Sequence, residues 1–210
     1  MSAAIDTIIF DIGAVLIDWN PRHLYRKIFV QDDGSPDEVR VEQFLTGICP
    51  PEWNVEQDRG RTIAEANAER ISLFPEHEAT IRAYYDRWIE MVAGPIDGMP
   101  DNLYAAKKAG YRVHGLTNFS AETFPVAAEK YPFLREFETV VVSGEVGIIK
   151  PNPEIYQVLI ERAGLIPERA AFVDDSLRNV EPARKLGIHA NHFQGVDGWQ
   201  AFLKDLGIVL

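Results

Sequence analysis

Residues 7 to 10, Thr-Ile-Ile-Phe, form a short apolar run that ends on the carboxylate Asp11, and runs of the same kind recur through the second half of the chain. Further strands are predicted at 111–116 (YRVHGL), 139–142 (TVVV), 170–173 (AAFV) and 188–193 (IHANHF), with the first over 7–11. Between them lie stretches of helical character that stop on glycine, which adopts the left-handed closing conformation at low cost. These helices are expected over 100–109 before Gly110, 152–163 before Gly164 and 176–186 before Gly187. In the second, Asn152 is positioned to cap and Pro153 suits the first turn. Apolar strands alternating with helices imply a doubly wound, Rossmann-like α/β core whose mainly parallel sheet is covered on both faces.

Residues 17–95 carry a different pattern, with several helix starts and no convincing strand. Ser35 to Glu38 and Thr62 to Glu65 both have the spacing of a capping box. From Ile81 the positions Ile81, Tyr84, Tyr85, Trp88, Met91 and Val92 keep helical spacing, read as packing between helices. A stretch of this length exceeds any simple strand-to-helix loop. The chain therefore divides into an α/β core (1–16 and 96–210) and an inserted α-helical cap (17–95), with Pro95 and Gly98 as a hinge. The insertion follows the first strand, so the cap is expected above the carboxyl edge of the sheet, where open α/β sheets bind ligands.

Composition narrows the function more than the fold. The 210 residues carry a net charge of −11, which disfavours general binding to nucleic acid or anionic membranes and leaves small anionic substrates open. A single cysteine, Cys49, excludes an internal disulfide and is read as a buried structural residue. No basic leader precedes a long apolar segment and no stretch approaches a membrane span, so a cytoplasmic location is expected. No feature specifies an oligomer.

Polar groups stand at the ends of four predicted strands: Asp11; Thr117 and Asn118; Lys150 within SGEVGIIKP; and Asp174, Asp175 and Ser176, followed by Asn179. Each has a bland alternative as a helix cap or a solvated side chain, but together they describe a site for phosphoryl transfer. Asp11 and Asp175 are hard oxygen donors suited to Mg²⁺, and the Gly13 carbonyl is a further donor. Lys150 and the Thr117 hydroxyl are placed to hold phosphoryl oxygens, and Asp11 to act as nucleophile. Gly13 is expected to let the backbone turn after Asp11.

The segments FDIGAVL, LTN, GIIKPNPEIY and FVDDSLRN, in that order, resemble the four motifs of the haloacid dehalogenase-like hydrolase superfamily over essentially the whole chain. Within it the sequence is similar to the bacterial branch containing the glucose-1-phosphate phosphatase, which also has glycine two places after the nucleophile. The resemblance implies an Mg²⁺-dependent phosphatase acting on a small phosphorylated metabolite, a sugar phosphate being one candidate. It implies Asp11 as nucleophile, Thr117 with its neighbour Asn118 and Lys150 as phosphate-holding groups, and Asp175 as metal ligand. Asp174 would orient metal-bound water and Asn179 would order that loop. Two departures stand out. Gly13 replaces the aspartate that most of these phosphatases use as acid and base, and Ala14 replaces the branch's usual asparagine. Asp18, His23, Glu56 and Asp58 are polar residues of the insert and candidates to substitute for the missing acid. Trp19 and Arg22 are expected near the substrate, and Trp53 with residues 57–60 forms a second patch, read equally as interdomain packing. A metal-independent 2-haloacid dehalogenase and a non-catalytic phosphate-ligand binder remain alternatives.

Overall fold

The computed structural model describes residues 4–210. In chain order the elements are β1 (Thr7–Phe10), β2 (Ile17–Trp19), α1 (Arg22–Ile28), α2 (Glu38–Gln43), α3 (Pro51–Asp58), α4 (Ile63–Leu73), α5 (Glu78–Asp86), β3 (Val92–Pro95), α6 (Met99–Lys108) and β4 (Arg112–Thr117). There follow α7 (Phe124–Lys130), β5 (Thr139–Val142), α8 (Ser143–Val146), α9 (Pro153–Ala163), β6 (Ala170–Asp174), α10 (Leu177–Lys185), β7 (His189–His192) and α11 (Val196–Asp205).

Five strands form a parallel sheet in the order β5-β4-β1-β6-β7, so the chain leaves β1 to one side and later crosses back to the other. Both faces are covered, as the apolar strands require. Ile8 and Phe10 point to one side, where they join Val113, Trp199 and Leu203. Ile9 points to the other, with Leu116, Ile155, Tyr156 and Phe172. Phe10 is level with Gly115 of β4 and Val173 of β6. The next rung therefore holds Asp11 between Leu116 and Asp174, and the Asp11 amide donates to the Val173 carbonyl at 2.9 Å.

The caps that the sequence predicts are present in two cases of three. The Asn152 side chain accepts the Glu154 amide ahead of Pro153, and Gly164 closes α9 at φ +56°. Thr62 and Glu65 satisfy each other's amides at the start of α4. The Ser35–Glu38 box does not form. Asp37 caps α2 by accepting from the Arg40 amide, while Ser35 is drawn into a turn by Asp33. Asp37 also accepts well at this position, and Pro36 is instead held in an extended bridge to Val30 with the Asp37 amide bonded to the Phe29 carbonyl.

Residues 17–95 are not purely helical. Ile17–Trp19 pairs antiparallel with Val92–Pro95, a two-stranded ribbon through which the chain leaves and re-enters the core. With only three residues in β2, no alternation could show, and Val92 had fitted the helical stripe by spacing alone. Helix α5 ends at Asp86, a 3₁₀ turn carries Trp88 to Met91, and Val92 is already in β3. The aromatic stripe is packing: Ile81, Tyr84, Tyr85, Trp88 and Met91 are all buried. Trp88 meets the core residue Phe119 with ring centroids 5.2 Å apart. Trp53 is likewise buried, against Tyr84 at 5.2 Å and Tyr85 at 5.4 Å, and Gln57 donates to the Trp53 carbonyl and the Tyr85 hydroxyl. Trp53 and Gln57 are internal to the helical insert, whereas residues 58–60 meet the core at Ser143 and Gly144. No helix among the described residues is long and apolar enough to cross a membrane.

Candidate active site

The centre of the site is an ammonium held between carboxylates. Lys150 Nζ lies 2.8 Å from Asp11 Oδ1 and 2.7 Å from Asp174 Oδ2, and it donates to the Leu116 carbonyl at 2.8 Å. Lys150, Asp11 and Asp174 are only 2%, 6% and 0% exposed. The Lys150 backbone is fixed by Asn118, whose side chain accepts the Lys150 amide at 2.7 Å and donates to its carbonyl at 3.0 Å. This clamp joins the end of β4 to the loop before α9 and gives Asn118 a positioning role, which accounts for it better than a helix cap. Thr117 ends β4 buried, and its hydroxyl has no partner among the described residues. A buried hydroxyl left unpaired is costly unless a ligand supplies the bond.

Asp174 is saturated. Its Oδ1 accepts the Ser176 amide at 2.8 Å and the Asn179 side chain at 2.9 Å, and its Oδ2 takes Lys150 and a second Asn179 contact at 3.2 Å. Asn179 is itself anchored through its carbonyl, which accepts from the Tyr156 hydroxyl at 2.7 Å. Asp175 is exposed, yet donor atoms of Asp11, Asp174 and Asp175 all lie within 4.8 Å of one another. Three carboxylates against one ammonium leave the cluster negative. Burial pushes the Asp11 carboxyl up to about 8 and the neighbouring Asp174 adds to the rise, against the pull of Lys150. Asp175 is raised as well, by burial first and then by Asp174. A compact oxygen donor set with excess negative charge fits a hard divalent cation. Asp11 and Asp175 have oxygens to spare for it, and Asp174 is tied to Asp11 through Lys150.

A cavity of about 230 Å³ opens over this cluster, lined by Asp11, Gly13, Ala14, Trp19, Lys150 and Asp175, with Asn118 and Asn179 at its edge. Gly13 does not supply the left-handed turn expected of it: that conformation belongs to Ala14, at φ +56°. A Cβ at Gly13 would meet nothing within 4 Å, so packing does not exclude a side chain where the missing aspartate would stand. Alanine in the left-handed region is strained by roughly 1–2 kcal/mol, whereas asparagine tolerates it. Ala14 is exposed, so Ala14→Asn should fit and raise the melting temperature by about 2–4 °C, a shift of about 1 kcal/mol in a chain of this size. A calorimetric scan showing no gain would mean that the turn carries no strain.

The other expected residues are divided. Trp19 borders the cavity, with its indole N–H buried and unpaired among the described residues. Arg22 does not border it, and its guanidinium forms a two-pronged pair with Glu42, at 2.5 and 2.7 Å. Of the residues considered for the missing acid, Asp18 is exposed and pairs with His23 at 3.3 Å, and Glu56 pairs with Arg59 at 2.9 Å. Asp58 is half-buried in a neighbouring cavity, its carboxyl pushed up to about 7 by burial against the opposing bond from the Ser120 amide. Burial also pushes the Cys49 thiol up to about 12, which suits a structural rather than a nucleophilic cysteine. Sequence reasoning missed the Leu116 carbonyl, the Tyr156 hydroxyl and Ser143. Ser143 Oγ accepts the Phe119 amide at 2.9 Å and also contacts the Asp58 carbonyl, tying the insert to the core. A carbonyl carries no residue signature, and the two hydroxyls, Ser143 at the head of SGEVGIIKP and Tyr156 at the end of GIIKPNPEIY, act on partners distant in sequence.

Comparison with known proteins agrees with this geometry. The profile of the haloacid dehalogenase-like hydrolases matches residues 5–187. The mouse acyl-CoA dehydrogenase family member 10 is 44% identical over 87% of the chain, which spans 17% of that longer protein. An N-acetylmuramic acid 6-phosphate phosphatase of Pseudomonas aeruginosa is 27% identical, with 74% of this chain and 73% of that protein aligned. In fold, a HAD family enzyme from Bacteroides thetaiotaomicron, crystallised with magnesium and inorganic phosphate, superposes with a TM-score of 0.72 at 24% identity, covering 94% of this chain and 98% of that one.

Proposed function

Since the chain belongs to the haloacid dehalogenase-like hydrolase family, we propose that it hydrolyses a small phosphomonoester through an aspartyl-phosphate on Asp11, with Mg²⁺ as cofactor. The observation that carries this reading is the cluster of Asp11, Asp174 and Asp175 within 4.8 Å, bridged by a buried Lys150. A relative named as a sugar-phosphate phosphatase and a protein of the same fold crystallised with magnesium and inorganic phosphate support it.

Asp11 and Asp175 would hold the metal, with the Gly13 carbonyl as a further donor, and the bound ion would offset the repulsion between the nucleophile and an anionic phosphate. Lys150 holds the Asp11 carboxylate in place and adds positive charge beside the phosphoryl oxygens as charge develops there, while the unpaired Thr117 hydroxyl supplies a donor to them. An Asp11 oxygen attacks phosphorus, the ester P–O bond breaks with its electrons on the leaving oxygen, and water then cleaves the acyl phosphate. No acid stands at position 13, so the leaving oxygen receives less help than in most of the family. In this reading residues 17–95 form a cap on the core of 1–16 and 96–210, excluding bulk water from the reaction.

The test is phosphate release from a panel of phosphomonoesters, and halide release from 2-haloacids, each with Mg²⁺ and with chelator. Phosphate release should fall at least tenfold on chelation and return with added Mg²⁺. Halide release that resists the chelator would overturn the reading in favour of a dehalogenase.

A further inference from the structure

A second cavity, of about 440 Å³, is lined wholly by residues of the insert and shares Trp19 with the cavity over Asp11. Its walls are chiefly apolar, from Trp19, Leu45, Cys49, Pro51, Val55 and Tyr84. Leu45, Cys49 and Tyr84 are buried, while Thr46 and Pro51 are exposed at its rim, so the chamber is deep but open to solvent on one side. The charged groups around it are already engaged within the protein. Arg22 is paired with Glu42 through two bonds, and Asp58 accepts from Asn54 at 3.3 Å and from the Ser120 amide. A few neutral groups are left without a bond among the described residues, the Trp19 indole N–H at the boundary, the Asn20 amide nitrogen and the Tyr84 hydroxyl.

Resting on the phosphatase reading above, we infer that this chamber receives the organic group of the substrate and that this group is predominantly apolar, an alkyl or aryl alcohol rather than a polyol. A phosphoryl group at Asp11 has two ways to extend its ester. One leads past Asn118, Lys150 and Asn179 into a groove rimmed by the exposed Glu52, Arg59 and Arg178, which is open to solvent and forms the mouth. The other leads past Trp19 into the chamber, which has room for on the order of ten non-hydrogen atoms. A sugar placed there would strip several hydroxyls of water and find few free partners, whereas a hydrocarbon gains by leaving water.

The inference is tested with n-hexyl phosphate, a hexose 6-phosphate and methyl phosphate, all primary alkyl esters that differ in what fills the chamber. Hexyl phosphate should exceed the hexose ester in kcat/KM by tenfold or more. Cys49→Phe, or Thr46→Trp from the chamber's exposed rim should the first variant fail to fold, should lower kcat/KM for hexyl phosphate at least tenfold. Methyl phosphate turnover and inhibition by inorganic phosphate should not change. Preference for the hexose ester, or equal losses on all three substrates in a variant of unchanged melting temperature, would overturn it. Calorimetric binding of the hexyl and hexose esters settles the chamber independently of turnover, tighter hexyl binding upholding the inference and equal or weaker binding defeating it. Failure to hydrolyse any of the three, methyl phosphate included, would count against the phosphatase reading itself.

Discussion

Asp11→Asn is expected to reduce phosphate release by at least about 10⁴-fold, in line with the loss of a nucleophile elsewhere, while leaving the protein folded. The amide has nearly the shape of the carboxylate and can still accept the Ile12 amide, which reaches Asp11 Oδ1 at 2.7 Å. Lys150 keeps its bonds to Asp174 and the Leu116 carbonyl, so no buried charge is orphaned. The pH dependence of stability separates the two roles of this residue. Burial raises the Asp11 carboxyl from 3.8 to about 8. A carboxyl raised by folding contributes stability that is complete below its unfolded value and is lost as pH climbs through its folded one. Without added cation, the parent protein should therefore weaken between about pH 4 and pH 8, and the asparagine variant should show a flatter profile. Thermal melts across that range, with chelator present, measure this directly. Turnover within tenfold of the parent would rule Asp11 out as nucleophile, whatever the melts show.

The parts of this architecture that could be read from sequence are those in which each residue declares its environment. The apolar runs at 7–10 and 170–173 are buried on both faces, and a strand of that kind reads the same from either side. Asn152, Pro153 and Gly164 bound α9 because each is suited to one backbone conformation. Asp11, Lys150 and Asp174 were legible because charges at strand ends are conspicuous against such runs. What could not be read was set by partners distant in sequence. The β2–β3 ribbon joins residues about 75 positions apart, and neither strand is long enough to show a period of two. The left-handed turn falls on Ala14 and not Gly13 because the chain must bring Ile17 back toward residue 12, where both the Leu16 and Ile17 amides bond to the Ile12 carbonyl. Arg22 looked like an anion ligand until Glu42, twenty residues on, was found paired with it. The apolar chamber is a property of several elements meeting and of no single one.

Lys150→Met should produce the largest loss of stability of any single change at the site. The substitution preserves bulk and removes the ammonium that lies 2.8 Å from Asp11 and 2.7 Å from Asp174. Two buried carboxylates then face each other with no compensating charge, and the pair cannot turn to water. Removing one partner of a buried ion pair costs about 3–5 kcal/mol, which corresponds to roughly 6–20 °C in melting temperature at about 2–4 °C per kcal/mol. The loss should itself depend on pH. Lys150 lowers the Asp11 carboxyl, so without it that pKa rises further, and a raised pKa favours the folded state only while the acid stays protonated. The deficit relative to the parent should accordingly be level between about pH 5 and pH 8 and grow above about pH 8, where Asp11 ionises in the folded parent but not in the folded variant. Added Mg²⁺ should restore part of it, and stabilise the variant more than the parent, because a cation among the three carboxylates takes over the charge that the lysine supplied. Phosphate release should remain low even where stability is recovered, since no ammonium is left to face the phosphoryl oxygens. A deficit that fails to grow as pH rises above about 8, or no differential response to Mg²⁺, would show that Lys150 acts by packing and not by holding two carboxylates together.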